Sequence, residues 1–258
     1  MTHINFDRVA MVYDQTREVP KEIINLLIEK INKVLFETFG SPPYQILSLG
    51  IGSGRVEKYL SSKDNHLFGI DISELMLREL KKKQKTESIA TAQADVYNLP
   101  FRGNFHLIVA IHLVHLLDNL ERFLNETLKA SKLIIIGDVY TDVYQSLIYS
   151  DFIEILSKIG WEKQDSAPVD GFITREMSRL GFLREDIERT ETTSQTHYSI
   201  YDSIKKKYFS WLWDVPDAIY NEALSQLETR IQKKNINLNE SYQTTASIEL
   251  KIFKKRDI

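Results

Sequence analysis

The composition of the chain indicates a globular protein and excludes several classes of function. Of its 258 residues, 43% are hydrophobic and 27% are charged, which is typical of a folded domain. The absence of Cys excludes disulfides, thiolate metal sites and cysteine nucleophiles. A formal net charge of -3 gives no bulk attraction for nucleic acid or an anionic membrane. With no signal-peptide pattern and no bilayer-spanning apolar run, we expect a cytoplasmic protein without membrane or nucleic-acid partners.

Apolar periodicity predicts alternating strands and helices. Helices are predicted over 20–37, after the glycines at 50–54, over 73–83 and over 120–128. Strands are predicted over 45–50, 66–71, 88–95, 106–112, 132–138 and 247–254. This alternation favours a doubly wound α/β fold with a mostly parallel sheet, in which ligands bind outside the carboxyl ends of the strands.

Two stretches, about 140–172 and about 196–242, fit this alternation poorly. Both have a mainly helical pattern and carry many aromatic residues. Together with residues 1–40 they predict a lid, and no linker divides the chain. We therefore expect one domain over 1–258.

A glycine-rich turn is the strongest functional signal. The strand over 45–50 runs directly into Gly50, Gly52 and Gly54, which let the backbone approach a nucleotide-like ligand and adopt positive φ. Asp71 ends the next predicted strand, where a carboxylate can accept both hydroxyls of a ribose. A dinucleotide fingerprint beginning at Gly50 would need Gly or Ala at position 55, where the chain has Arg55. The glycine spacing therefore argues against a nicotinamide-dependent oxidoreductase, which we keep as an alternative.

The glycine loop resembles the nucleotide-binding loop of class I S-adenosylmethionine-dependent methyltransferases. Later segments follow that family in order, with Asp71 in a second motif and Asp95 in a third. The resemblance implies a Rossmann-like doubly wound α/β fold with a mostly parallel seven-stranded sheet and helical lid insertions. It also implies the cofactor S-adenosyl-L-methionine, bound by Gly50, Gly52, Gly54, Asp71, Ile72, Asp95 and Val96.

The N-terminal segment narrows the resemblance to one branch. Its pattern of Phe6-Asp7, Tyr13-Asp14 and Arg17 is similar to that of small-molecule enzymes of the ubiquinone/menaquinone-methyltransferase-like kind. The resemblance implies that this segment closes over the cofactor, with Tyr13 and Arg17 facing its amino-acid end. We therefore expect a small-molecule acceptor.

Ser48 departs from the family pattern. It stands where these methyltransferases usually have an acidic residue that helps to hold the methionine amino group. This departure keeps open the alternative of a protein that binds the cofactor without catalysis.

His115 is the predicted catalytic residue. Methyl transfer needs little protein chemistry, because the sulfonium is an excellent leaving group and alignment supplies much of the acceleration. If the acceptor must lose a proton, a His near the transferring methyl can accept it close to neutral pH. Asp138 and Tyr140, at the end of the fifth strand, are further candidates, and no metal site is predicted.

Overall fold

The computed structural model describes residues 6–11, 13–14, 19–83, 89–101, 105–163 and 169–256, which contain a seven-stranded sheet. The strands are β1 (Tyr44–Leu49), β2 (Asn65–Asp71), β3 (Ala90–Gln93), β4 (Leu107–Ile111), β5 (Leu133–Thr141), β6 (Phe182–Thr196) and β7 (Ser241–Lys255). Their order is β3-β2-β1-β4-β5-β7-β6. Strands β1 to β5 are parallel, whereas β7 is antiparallel to both β5 and β6. This confirms the predicted fold class.

Seven α-helices are found in the described ranges. They are α1 (Lys21–Phe39), α2 (Glu74–Lys83), α3 (Leu120–Ala130), α4 (Leu147–Lys158), α5 (Val169–Arg179), α6 (His197–Lys205) and α7 (Asp217–Lys233). Short 3-10 helices occur at Phe6–Val9, Glu57–Leu60, Val114–Leu116 and Ser210–Trp213. Ser73 begins α2 as predicted, because its hydroxyl accepts the N–H of Met76 at 3.1 Å.

The prediction of a helix after the glycine turn was wrong in kind. The chain forms only the 3-10 helix Glu57–Leu60. Residues 55–64 must then return to the start of β2, and the Ser62 hydroxyl accepts the N–H groups of Asp64 and Asn65, each at 3.1 Å. Such side-chain bonds to the backbone favour a turn over a further helical turn.

Helices cover both faces of the sheet, and their packing corrects the predicted limits of the lid. Helix α1 buries Ile23, Leu27 and Ile31 in the apolar cluster on one face. Helix α5 buries Ile173 and Met177 in the cluster on the other face. Residues 21–39 and 169–179 therefore belong to the layers around the sheet rather than to a lid, because their apolar faces match the sheet.

The remaining helices form a separate apolar cluster, which we call the helical cap. It consists of α4, α6, the 3-10 helix Ser210–Trp213 and α7, and its centre holds Tyr149, Phe152, Ile204, Leu212 and Leu227. Strands β6 and β7 continue their pairing beyond the last residue that β7 pairs with β5. This two-stranded extension leads directly into α6, so the sheet itself carries the cap.

Candidate functional site

A cavity of about 370 Å³ lies at the carboxyl ends of β1, β2, β3 and β4. Its volume falls in the range of small-molecule sites. The strand order reverses between β1 and β4, which is the position where open α/β sheets bind ligands. The lining includes most of the predicted cofactor residues: Tyr13, Gly50, Gly52, Asp71, Ile72, Asp95 and Val96.

The three glycines have different physical roles in the loop after β1. All have positive φ, of 66° at Gly50, 54° at Gly52 and 68° at Gly54. A Cβ on Gly50 or Gly54 would lie 2.8 Å from Leu113 Cδ1 or 2.4 Å from Leu80 Cδ1, so these two glycines allow close packing. A Cβ on Gly52 would meet only Asp71 Oδ2, at 3.9 Å, within the cavity. Gly52 therefore exposes backbone to a ligand, whereas Gly54 does not line the cavity.

Asp71 joins the glycine loop to the start of α2. Its Oδ2 accepts the N–H of Gly52 and its Oδ1 accepts the N–H of Ser73, both at 2.8 Å. Burial raises the pKa of Asp71 and the two N–H groups oppose this rise. The bonds fix the carboxylate at the cavity wall, where it can accept hydroxyl donors from a sugar.

Apolar surface and a second carboxylate follow β2 and β3. Ile72 is unusually exposed for its type, at 46%, and it lines the cavity together with Val96. Asp95 lies beside them, and its Oδ1 accepts the N–H of Tyr97 at 2.8 Å. Two aliphatic side chains next to a carboxylate suit an aromatic ring that carries an amino group.

The described part of the N-terminal segment lies against the cavity. Asp7 accepts the hydroxyl of Ser73, and Asp14 accepts the hydroxyl of Ser53. Asp14 also pairs with Lys83 at 2.8 Å. Phe6, Asp7 and Tyr13 contribute to the lining, whereas Arg17, the other residue predicted here, lies outside the described residues.

Two histidines in the loop after β4 flank Asp138 of β5. His112 Nδ1 lies 3.1 Å from Asp138 Oδ1, and His112 Nε2 accepts the N–H of Val139 at 3.1 Å. His115 Nδ1 lies 3.7 Å from the same carboxylate oxygen. Burial lowers the pKa of His112, and the pKa of Asp138 is below its ordinary value because its histidine neighbours outweigh the effect of burial. His115, whose side chain is 42% exposed, lies outside the cavity lining, although Leu116 belongs to it.

Sequence reasoning missed Glu57, a buried carboxylate at the cavity wall. It begins the 3-10 helix that follows the glycine loop, and the Ser48 hydroxyl donates to its Oε1 at 3.5 Å. Burial raises the pKa of Glu57 to about 7, although Arg55 and nearby hydrogen-bond donors oppose this. The sequence indicates this role only by a Glu three residues after the last glycine. An exposed Glu on a helix would give the same pattern.

Sequence reasoning also missed Tyr97 and Asp118, which connect two loops of the site. The Tyr97 hydroxyl donates to Asp118 Oδ1 at 2.7 Å and accepts the N–H groups of Asp118 and Asn119 at 3.0 Å. Tyr97 and Asp118 both line the cavity. Their hydrogen bonds hold the loop after β3 against the loop after β4.

The described ranges contain no group of three or more His, Asp or Glu side chains placed to bind a metal ion. In those same ranges, we find no helix with the length and apolar character needed to cross a membrane.

Comparison with known proteins finds a family model that matches part of the chain. Residues 47–132, from β1 to the residue before β5, match the family model described as a methyltransferase domain. A search of curated proteins gave no match.

Two solved structures are similar in fold. The YcgJ protein from Bacillus subtilis has 15% identity and a TM-score of 0.52, with 92% of this chain and 100% of that chain covered. A candidate methyltransferase from an antibiotic biosynthesis pathway of Anabaena variabilis has 14% identity and a TM-score of 0.56, with 91% and 98% covered. At these identities the likeness concerns the fold alone.

Residues 47–132 are thus similar to a methyltransferase domain, within a Rossmann-like α/β fold. The family match supports the prediction of a methyltransferase enzyme with S-adenosyl-L-methionine as its cofactor. The narrower ubiquinone/menaquinone-like branch stays a prediction.

Proposed function

We propose that this protein transfers a methyl group from S-adenosyl-L-methionine to a small-molecule acceptor by in-line displacement. The observation that carries the proposal is the single cavity that brings Gly52, Asp71 and Asp95 together at the switch point of the sheet. Gly52 allows a close approach of the ligand to the backbone, and Asp71 suits the hydroxyls of a ribose. Asp95 suits an amino group on an aromatic ring.

When bound, the cofactor supplies an electrophilic methyl group on a sulfonium leaving group. In our proposal Asp71 accepts the ribose hydroxyls and Asp95 accepts the adenine amino group, with Ile72 and Val96 packed on the ring. The loop containing Gly50, Gly52 and Gly54 gives the cofactor its backbone contact, with Gly54 acting through the packing of the loop. Tyr13 and Arg17 are proposed to face the amino-acid end.

His115 is proposed to act as general base where the acceptor must lose a proton. Its Nδ1 lies 3.7 Å from Asp138 Oδ1, so a carboxylate stands beside the ring that would take up the proton. Asp138 would then stabilise the imidazolium, as a nearby anion does. His112 is unsuited to this role because Asp138 and Val139 engage both of its ring nitrogens.

A small acceptor is favoured by the way the site is covered. Phe6 and Tyr13 of the N-terminal segment line the cavity, and the Phe6 ring contacts Trp213 of the helical cap at a centroid distance of 5.3 Å. A site covered in this way suits a compact acceptor, and the formal net charge of -3 offers no bulk attraction for nucleic acid. We propose one domain over 1–258, with a lid formed by the N-terminal segment and the cap.

Calorimetric titration with S-adenosylhomocysteine tests this proposal. We expect binding by the wild-type protein and a loss of more than about tenfold in affinity, or about 1.4 kcal/mol, in Asp71→Ala. Asp64→Ala, in the exposed turn before β2, is the matched control and should bind normally. Binding of NAD in place of S-adenosylhomocysteine would contradict the proposal, as would ligand binding with no methyl transfer to any acceptor in a broad panel.

A further inference from the structure

Glu57 is a buried carboxyl group at the cavity wall to which the proposed function assigns no role. Its exposure is only 4%, and it lines the cavity next to the glycine loop. Among the described residues, no Lys, Arg or His forms an ion pair with it, and Arg55 acts on it only at longer range. A buried carboxylate without a cation is costly, so this position calls for a positively charged partner.

The position of Glu57 along the cavity indicates which part of a ligand would reach it. Asp95 follows β3, Asp71 ends β2 and the glycine loop follows β1, so these groups are spread along the edge of the sheet in strand order. Glu57 takes the β1 place in this order, because it contacts Ser48, which pairs with Gly69 of β2 on one side and with Val109 of β4 on the other. A ligand with its ring at Asp95 and its ribose at Asp71 would therefore extend its remaining end toward Glu57.

We propose that Glu57 binds the α-ammonium group of the methionine portion of S-adenosyl-L-methionine. This inference rests on the proposed function. The ammonium supplies the cation that the buried carboxylate lacks, and Ser48 holds the carboxylate in place through its hydroxyl. Strand β1 has no acidic side chain at position 48, and the 3-10 helix Glu57–Leu60 brings a carboxylate to that place instead.

Two ligands that differ at the amino-acid end test the assignment. S-adenosylhomocysteine carries the α-ammonium, whereas 5′-methylthioadenosine has the adenosine and the sulfur but no amino acid. We expect Glu57→Gln to weaken S-adenosylhomocysteine binding at least about tenfold. Its affinity for 5′-methylthioadenosine should stay within about twofold of wild type, since Gln keeps the shape of the side chain.

Two further variants serve as controls. Glu57→Asp keeps the charge on a shorter side chain and should lose less affinity than Glu57→Gln, while Glu74→Gln, an exposed site on α2, should lose none. Equal loss for both ligands in Glu57→Gln would show that Glu57 only supports the loop, and no loss for either would also overturn the assignment. Failure of the wild-type protein to bind either ligand would instead overturn the proposed function, and this inference with it.

Discussion

The two histidines beside Asp138 differ in burial and in their contacts. In His112 one ring nitrogen faces Asp138 and the other accepts a backbone N–H, and burial lowers its pKa. Taking up a proton there would break the bond from Val139. His115 Nδ1 lies 3.7 Å from the same carboxylate oxygen, and its side chain is 42% exposed. Asp138 therefore contacts a buried histidine on one side and a partly exposed histidine on the other.

We predict that His115→Gln lowers kcat by about 10²- to 10⁴-fold on an acceptor that must lose a proton. The affinity for S-adenosylhomocysteine should not change, because His115 lies outside the cavity lining. The rate of S-adenosylhomocysteine formation measured against pH tests this. The fall in rate toward acidic pH that protonation of His115 causes in wild type should disappear in the variant. An unchanged pH profile would remove His115 from catalysis.

Glu57 should make the unliganded protein less stable as the pH rises. Its pKa is raised from 4.5 to about 7 in the folded state, so the folded state holds a proton that the unfolded state releases above its own pKa. Compared with a variant that cannot ionise at position 57, the protein therefore loses stability as the pH rises from 4.5 to about 7. A shift of this size corresponds to a loss on the order of 3 kcal/mol.

We predict that Glu57→Gln is more stable than wild type at about pH 8 and similar to it below about pH 4.5. The free energy of urea unfolding, measured without ligand across this range, tests the prediction. Glu74→Gln serves as the exposed control, and its difference from wild type should vary little with pH. Parallel pH profiles for Glu57→Gln and wild type would show that Glu57 is solvated rather than buried.

At the scale of single elements, the strands buried on both sides were the most predictable. Every residue of β4 is buried, and its continuous apolar run is typical of a central parallel strand. Strand β6 was missed because it is an edge strand that carries many charges, such as Arg184, Glu185 and Asp186, so it has no apolar alternation. Its place is set by pairing with β7, which is a contact distant in sequence.

The residues of the candidate site also differ in how far the sequence predicts them. The glycines and Asp71 were predictable because local backbone demands determine them: a tight turn after one strand and a carboxylate at the end of the next. Glu57 was not, because its burial depends on a 3-10 helix where periodicity predicted a longer helix. Tyr97 was missed for a related reason, since its hydrogen bonds to Asp118 and Asn119 join two loops.

The loop after β1 depends on Gly54 for packing against α2. We predict that Gly54→Ala destabilises the protein by about 2 to 4 kcal/mol, from strain at positive φ together with overpacking against Leu80. Gly160→Ala is the control, because Gly160 follows the end of α4 with positive φ but a Cβ there would have no neighbour within 4 Å. That variant should lose only about 1 to 2 kcal/mol. Urea unfolding of both measures the difference, and equal losses would contradict a packing role for Gly54.

At the scale of the whole molecule, the cap contacts a residue that lines the ligand cavity. The helical cap has its own apolar cluster, separate from the two clusters on the faces of the sheet. Phe6 touches both parts, because it lines the cavity and packs edge-on against Trp213 of the cap. A ligand that orders the N-terminal segment should therefore also restrain this part of the cap.

We predict that S-adenosylhomocysteine slows hydrogen exchange in two separate segments. One is the N-terminal 3-10 helix Phe6–Val9, which adjoins the cavity, and the other is the 3-10 helix Ser210–Trp213, whose residues are absent from the lining. In Trp213→Ala the first effect should persist and the second should disappear, because the aromatic contact that couples them is lost. Mass spectrometry of exchanged peptides, with and without ligand, measures both segments. Slowing at Ser210–Trp213 that survives in Trp213→Ala would show that the cap senses the ligand by another route.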